Sequence, residues 1–297
     1  LVTRVKKDFR GGKSNVGFLF TANNRNLNSD QFKNLLNKNA YVGGIDFSHR
    51  LKNEDWILNG YVTGSRISGN EKVITNAQRS PIRYFQRPDA DHLSVDSTAT
   101  SLSGIAYKLE LTKFAGKHVR ASISINEDSP GYEVNDLGYQ QNAGYRGISS
   151  FLMYMENTPG KRIRNWNLYS GTWYYSSVDN EPGNKGLFFG SNVTMNNFWN
   201  INTGGNISPR GINYGLTRGG PIAAVPASWS LRGNIGTDRR KKIILRVRSN
   251  YREDTSNEFE VENIRLYINA NITNNIELEF NTERDASGSS ADVRVLD

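Results

Sequence analysis

Two short stretches hold the residue types that could do chemistry. Residues 87–92 read Arg-Pro-Asp-Ala-Asp-His, which puts the carboxylates of Asp89 and Asp91 beside the imidazole of His92. Oxygen and nitrogen donors of that kind bind divalent cations. No further ligand can be assigned by spacing, so the preferred reading is a loop whose aspartates cap turns, and no metal site is expected. Residues 129–140 offer Tyr132 as a stacking surface, with Glu133, Asn135 and Asp136 as groups that could contact a sugar or a cation. Gly131 and Gly138 flank them as hinges, so a loop closed by local Asn and Asp turns is again preferred.

Other chemistry is excluded by type. The chain has no cysteine, which removes disulfides, thiolate metal sites and thiol catalysis. Its 3 histidines show no metal-ligand spacing, and His118 beside Arg120 reads as part of a polar strand face. No serine nucleophile with a paired base, phosphate-cradling glycine loop or metalloprotease helix occurs. A glycosidase needs two carboxylates at a set separation, which sequence does not supply. The three Asn-X-Ser/Thr matches at Asn192, Asn206 and Asn271 are expected by chance in a chain rich in Asn and Thr. No catalytic residue and no cofactor is therefore expected.

The elements that would position such loops are strands of period two. In 228–251, Trp229, Leu231, Gly233 and Ile235 alternate with Ser230, Arg232 and Asn234. After a short turn Ile243, Leu245 and Val247 alternate with Arg246 and Arg248. Successive strand side chains point to opposite faces, so this pattern belongs between an apolar and an aqueous phase. A length of about eleven residues is enough to cross a bilayer obliquely. The low hydrophobic content of 36% and mean hydropathy of -0.61 do not oppose this, because a barrel needs apolar residues only at alternate positions. No uninterrupted apolar stretch approaches a spanning helix, and no signal-peptide pattern stands at Leu1.

The same alternation recurs from Leu1 to Phe280, and the connections alternate short and long. Short turns are expected at 10–13, 52–55, 114–117, 158–161, 238–241 and 273–275, with long loops at 24–39, 67–100, 128–142 and 208–226. A medium loop carrying Pro182 and Gly183 is expected before Leu187. Tight turns on one rim and long loops on the other are the pattern of outer-membrane barrels. The predicted fold is all-β, an antiparallel transmembrane β-barrel of at least thirteen long strands, forming a single domain over 1–297. More than about eight strands would enclose a channel or a plug. Trp56, Tyr107, Trp229, Tyr251, Tyr267 and Phe280 near strand ends are expected in interfacial girdles. Residues 287–297 read as loop without a closing strand, so the chain is expected to be part of a barrel.

The stretch Ser129-Pro130-Gly131-Tyr132-Glu133-Val134-Asn135-Asp136-Leu137-Gly138-Tyr139-Gln140 carries a resemblance. It stands with residues 87–92, the strand start at 101–104, Asp8-Phe9-Arg10-Gly11-Gly12 and Thr217-Arg218-Gly219-Gly220-Pro221. Together they are similar to the C-terminal barrel of a Bacteroidota family labelled as a domain of unknown function, in which the barrel follows a carbohydrate-binding family 9-like domain. The resemblance spans Asp8 to about Lys241, and the N-terminal sugar-binding-like domain is absent from this sequence. It implies a bacterial outer-membrane location and an architecture more than an activity.

The reading that follows is a non-enzymatic outer-membrane barrel for passage, transport or display at the cell surface. The alternative is a soluble or surface carbohydrate-binding or glycan-processing module. Expected partners are outer-membrane lipid and possible glycans or surface proteins. The net charge of +8 suits an anionic partner, but basic residues spread over many strands and turns argue against nucleic acid. The expected inward, lumen-facing residues are Arg120, Arg232, Arg246, Arg248, Arg265, Glu277 and Glu279, with Asn263 among them. Leu245, Val247, Leu266, Ile268, Leu278 and Phe280 are expected to face lipid. Adjacent strands bearing both signs of charge would form a cross-strand ladder.

Overall fold

The computed structural model describes residues 1–51, 54–255, 260–273, 276–287 and 294–296, with side chains after residue 255 described only for 263–269. The first strands are β1 (Val2–Phe9), β2 (Ser14–Asn24), β3 (Asn39–Leu51), β4 (Trp56–Ser68) and β5 (Ser101–Lys113). They are followed by β6 (Val119–Asp128), β7 (Tyr145–Glu156), β8 (Ile163–Ser177), β9 (Pro182–Met195) and β10 (Asn200–Ser208). A small hairpin, β11 (Gly211–Asn213) and β12 (Ala223–Val225), interrupts the series. The chain then adds β13 (Ser228–Gly236), β14 (Ile243–Asp254), β15 (Glu260–Thr273), β16 (Ile276–Ser287) and β17 (Arg294–Leu296). Helix α1 (Asp30–Lys33) and helix α2 (Glu71–Arg79) lie in the long connections.

All strands except β11 and β12 form one 15-stranded antiparallel sheet, each strand pairing with its neighbours in sequence and β10 pairing with β13 across the small hairpin. Among the described residues β1 and β17 are the edges, so the sheet is open and no closed barrel is formed between them. The short strand β17 pairs with β16 where loop was expected.

The period-two pattern becomes two chemically distinct faces because residues directly opposite in an antiparallel pair share a face. One row runs Val5, Phe18, Ile45, Val62 and Tyr107 across five strands. Another runs Ile201, Ile235, Val247 and Leu266. Among the described residues nothing covers this face: Ile45 is 53% exposed, Val62 51%, Leu152 58% and Leu231 47%. The other face carries Asp46, Lys108, Asn126, Asn192, Asn202, Arg232 and Arg248. Over β7 to β9 it also carries an aromatic group in which Phe151, Tyr169 and Trp173 pack around Phe188 with ring centroids 6.2–6.4 Å apart. Gly171 makes room for it, since a Cβ there would stand 2.4 Å from the Phe188 ring.

The turns follow their residues. Gly11 and Gly12 take φ of +65° and +86°, the left-handed region that glycine enters without steric cost, and so close the tight turn after β1. The expected medium loop before β9 is instead four residues, 178–181, because Pro182 opens the strand. A first strand residue is one of the few sheet positions where a missing N–H is tolerated.

The packed core lies on the polar face, at the long-loop end. Ala40, Ile67 and Leu102 are directly opposite one another on β3, β4 and β5. With Ala77, Ala99 and the fully buried Ile74 they form a cluster under α2. Asn70 caps that helix, its side-chain oxygen accepting the Val73 N–H at 3.0 Å. Gln78 holds the descending loop by donating to the Asp96 carbonyl at 2.9 Å and accepting the Asp96 N–H at 2.7 Å.

Candidate functional site: the loop-covered polar face

The long connections fold back over the polar face and knit to one another. Arg83, with its side chain wholly buried, donates to the Glu133 carboxylate at 2.5 Å and to the Tyr132 carbonyl at 2.5 Å. Burial draws its pKa down, and the Glu133 charge opposes that. The Tyr132 hydroxyl lies 2.8 Å from that of Thr63 on β4, and the Glu133 N–H donates to the Ser65 hydroxyl at 2.9 Å. Burial raises the Tyr132 pKa. Gly104 on β5 allows this close seating, since a Cβ there would meet the Tyr132 nitrogen at 2.2 Å.

The four loop residues singled out from sequence are thus placed together but committed to the fold. Tyr132 and Glu133 are buried. Asn135 caps its own loop by accepting the Gln140 N–H at 2.7 Å, and Asp136 pairs with Arg25 and accepts from Asn37 at 2.6 Å. Asp89, Asp91 and His92 do not converge. His92 faces Asp179 at 2.8 Å instead, tying this loop to the β8–β9 turn. Among the described residues no group of three or more His, Asp or Glu is arranged to hold a metal.

The strand residues expected to face inward are placed as follows. Arg232, Arg246, Arg248, Asn263 and Arg265 share the polar face, and Leu245, Val247, Leu266 and Ile268 share the apolar one. Arg120 lies on the polar face at the short-turn end, donating to the carbonyls of Gly116 and Val119 at 2.6 and 3.0 Å. The side chains of Glu277, Glu279, Leu278 and Phe280 lie outside the described residues. Of the expected charge ladder, the register sets Arg248 opposite Arg265, Arg265 opposite Glu283, and Glu277 and Glu279 opposite Asn271 and Asn269, so Glu277 and Glu279 do not stand directly opposite the arginines.

Two other placements differ from expectation. Tyr267 is opposite Arg246 on the polar face, where its ring lies under Arg248 at 5.6 Å, and is not part of an apolar-face girdle. Trp56, Tyr107, Trp229 and Tyr251 do lie on the apolar face. His118 precedes β6, and its ring stacks on Tyr154 at 5.4 Å at the short-turn rim.

Among the described residues, cavities open on the polar face. One of about 670 Å³ is bordered by Arg232, Arg248, Arg265, Asn202, Asn234 and Tyr169. A second of about 580 Å³ lies under the loops, bordered by Arg83, Arg87, Tyr145, Tyr175 and Tyr214. There the Arg87 guanidinium stacks on Tyr214 at 4.7 Å, and burial raises the Tyr214 pKa. A third of about 400 Å³ is bordered by Tyr61, Asp128, Tyr139, Gln141 and Tyr145. Sequence reading missed these because each joins residues from separate strands and loops. It also missed α2, although Asn70 as cap, Glu71 in the first turn, Arg79 in the last and Pro81 beyond are helix signals.

These features define a class: a long-stranded antiparallel sheet with one bare apolar face and one polar face partly covered by its own loops. The chain belongs to the family described as Domain of unknown function (DUF5916), which matches residues 20–292. No curated protein matches it.

Proposed function

We propose that the sheet is the wall of a transmembrane β-barrel in a bacterial outer membrane, non-enzymatic, serving passage or display of material at the cell surface. The observation that carries this is the uncovered apolar face. Ile45, Val62, Leu109, Ile125, Leu168 and Leu245 are all exposed on strands spread across the sheet. Contiguous apolar area on that scale is not left in water by a soluble monomer. Charged groups collect on the opposite face, and long loops on one rim oppose tight turns on the other.

In lipid the unpaired edges of β1 and β17 would strand backbone groups, so the reading requires those edges to be paired, with each other or with further strands. The loops that cover the polar face at one end then act as a partial plug, and the cavities beneath them are where a solute would pause. Purification tests the reading. The full chain should require detergent or lipid to stay dispersed, and a monodisperse preparation in plain buffer overturns it.

A further inference from the structure

The net charge of +8 is not spread evenly. The turns at 157–162 and 237–242, with the residues just beyond them, carry Lys161, Arg162, Arg164, Arg239, Arg240, Lys241 and Lys242, all exposed. Between them the β9–β10 turn supplies Phe198, whose ring lies 4.9 Å from the Arg164 guanidinium and 3.3 Å from that of Arg240. The Asn196 N–H donates to the Arg162 carbonyl at 2.9 Å and its side-chain amide to the Gly160 carbonyl at 2.9 Å, which ties two of the turns together. Of nearby carboxylates, Asp238 is 4% exposed and taken up by Arg240 at 2.8 Å, and Glu156 faces His118 at 3.5 Å. Among the described residues the patch therefore presents cations with little counter-charge.

Its apolar neighbours matter equally. Ile163, Trp199 and Ile243 are exposed at the same rim, Ile163 between Arg162 and Arg164 and Ile243 next to Lys242 in sequence. Basic side chains projecting past aliphatic and tryptophan side chains suit the boundary where headgroup phosphates meet acyl chains. An extended nucleic acid fits less well, because the central ring is already in contact with two guanidinium groups, those of Arg164 and Arg240, where a base would have to stack.

We infer that this Phe198-centred rim docks on anionic phospholipid headgroups, fixing the depth of the short-turn end in its leaflet. The inference rests on the membrane reading above and adds the lipid class. The test uses full-length protein reconstituted in phosphatidylcholine vesicles with brominated phosphatidylglycerol or brominated phosphatidylcholine as the tryptophan quencher. Phosphatidylglycerol should quench at lower mole fraction, with a preference that shrinks as salt is raised. Replacing Lys161, Arg162, Lys241 and Lys242 by Gln should reduce that preference by on the order of tenfold. Replacing the same lysines by Arg and Arg162 by Lys should keep it. Insertion with equal quenching by both lipids, or a preference unchanged in the Gln variant, overturns the inference while leaving the membrane reading standing. Failure to insert in either lipid overturns the membrane reading and the inference with it.

Discussion

Arg83 and Glu133 form an ion pair out of reach of solvent, 2.5 Å from nitrogen to oxygen, between two loops fifty residues apart in sequence. Removing one partner leaves an uncompensated charge, a loss of about 3–5 kcal/mol. Arg83→Met should therefore free residues 129–138 from the polar face without unfolding the strands. Amide exchange should accelerate there and not in β9 or β10. The double change Arg83→Met with Glu133→Leu should recover most of the protection.

Gly104→Val should act on the same loop by a different route. The added side chain would collide with backbone at Tyr132, which cannot swing aside as a side-chain end can. Overpacking of this kind costs about 1–3 kcal/mol. A limited-proteolysis comparison should show the 129–144 loop cut faster than in the parent, with the sheet fragments intact.

Asp238 gives a pH signature. Hydrogen bonds from Arg240 hold its carboxyl down at about 2, below its ordinary value of 3.8. A depressed pKa stabilises the folded state fully above the ordinary value, and the contribution fades as pH falls from there toward the folded value. Asp238→Asn should melt earlier than the parent at neutral pH, and the gap should close as the pH is lowered toward about 2. A gap that widens on acidification would contradict the assignment.

The strand faces can be tested with neighbours. Val247 and Arg248 are consecutive on β14 and lie on opposite faces, Val247 opposite Ile235 and Leu266, Arg248 opposite Asn234 and Arg265. Val247→Arg puts a cation into hydrocarbon at roughly 2–4 kcal/mol if the site is near the bilayer midplane. It should reduce assembly into membranes in a fractionation assay. Arg248→Val should assemble normally. It also relieves a like-charge opposition to Arg265, which is unfavourable at direct cross-strand positions.

The strands were legible because a period of two is written locally: Leu245 and Val247 against Arg246 and Arg248 need no long-range knowledge. The faces followed wherever parity was counted, and Tyr267 was misplaced where nearness to a strand end stood in for parity. Register was not legible, since which residues stand opposite Glu277 and Glu279 depends on the turn and on the irregularity at 271–273. The loops were the least legible. Arg83 has no local feature marking it as buried, because its partners at Tyr132 and Glu133 come from another connection. Whether the outer edge of β1 finds a partner is a property of the assembled sheet and has no sequence signal of its own.

The central claim is that one face of this sheet meets lipid and the other meets water. Single cysteines, introduced into a chain that has none, can carry a spin label at Leu109, Leu231 or Leu245 on one face and at Lys108, Arg232 or Arg246 on the other. Collision with oxygen, which concentrates in hydrocarbon, and with a water-soluble nickel chelate then reports the environment of each site in reconstituted vesicles. Leu109, Leu231 and Leu245 should favour oxygen and Lys108, Arg232 and Arg246 should favour nickel, alternating residue by residue. Equal nickel access on both faces would contradict it.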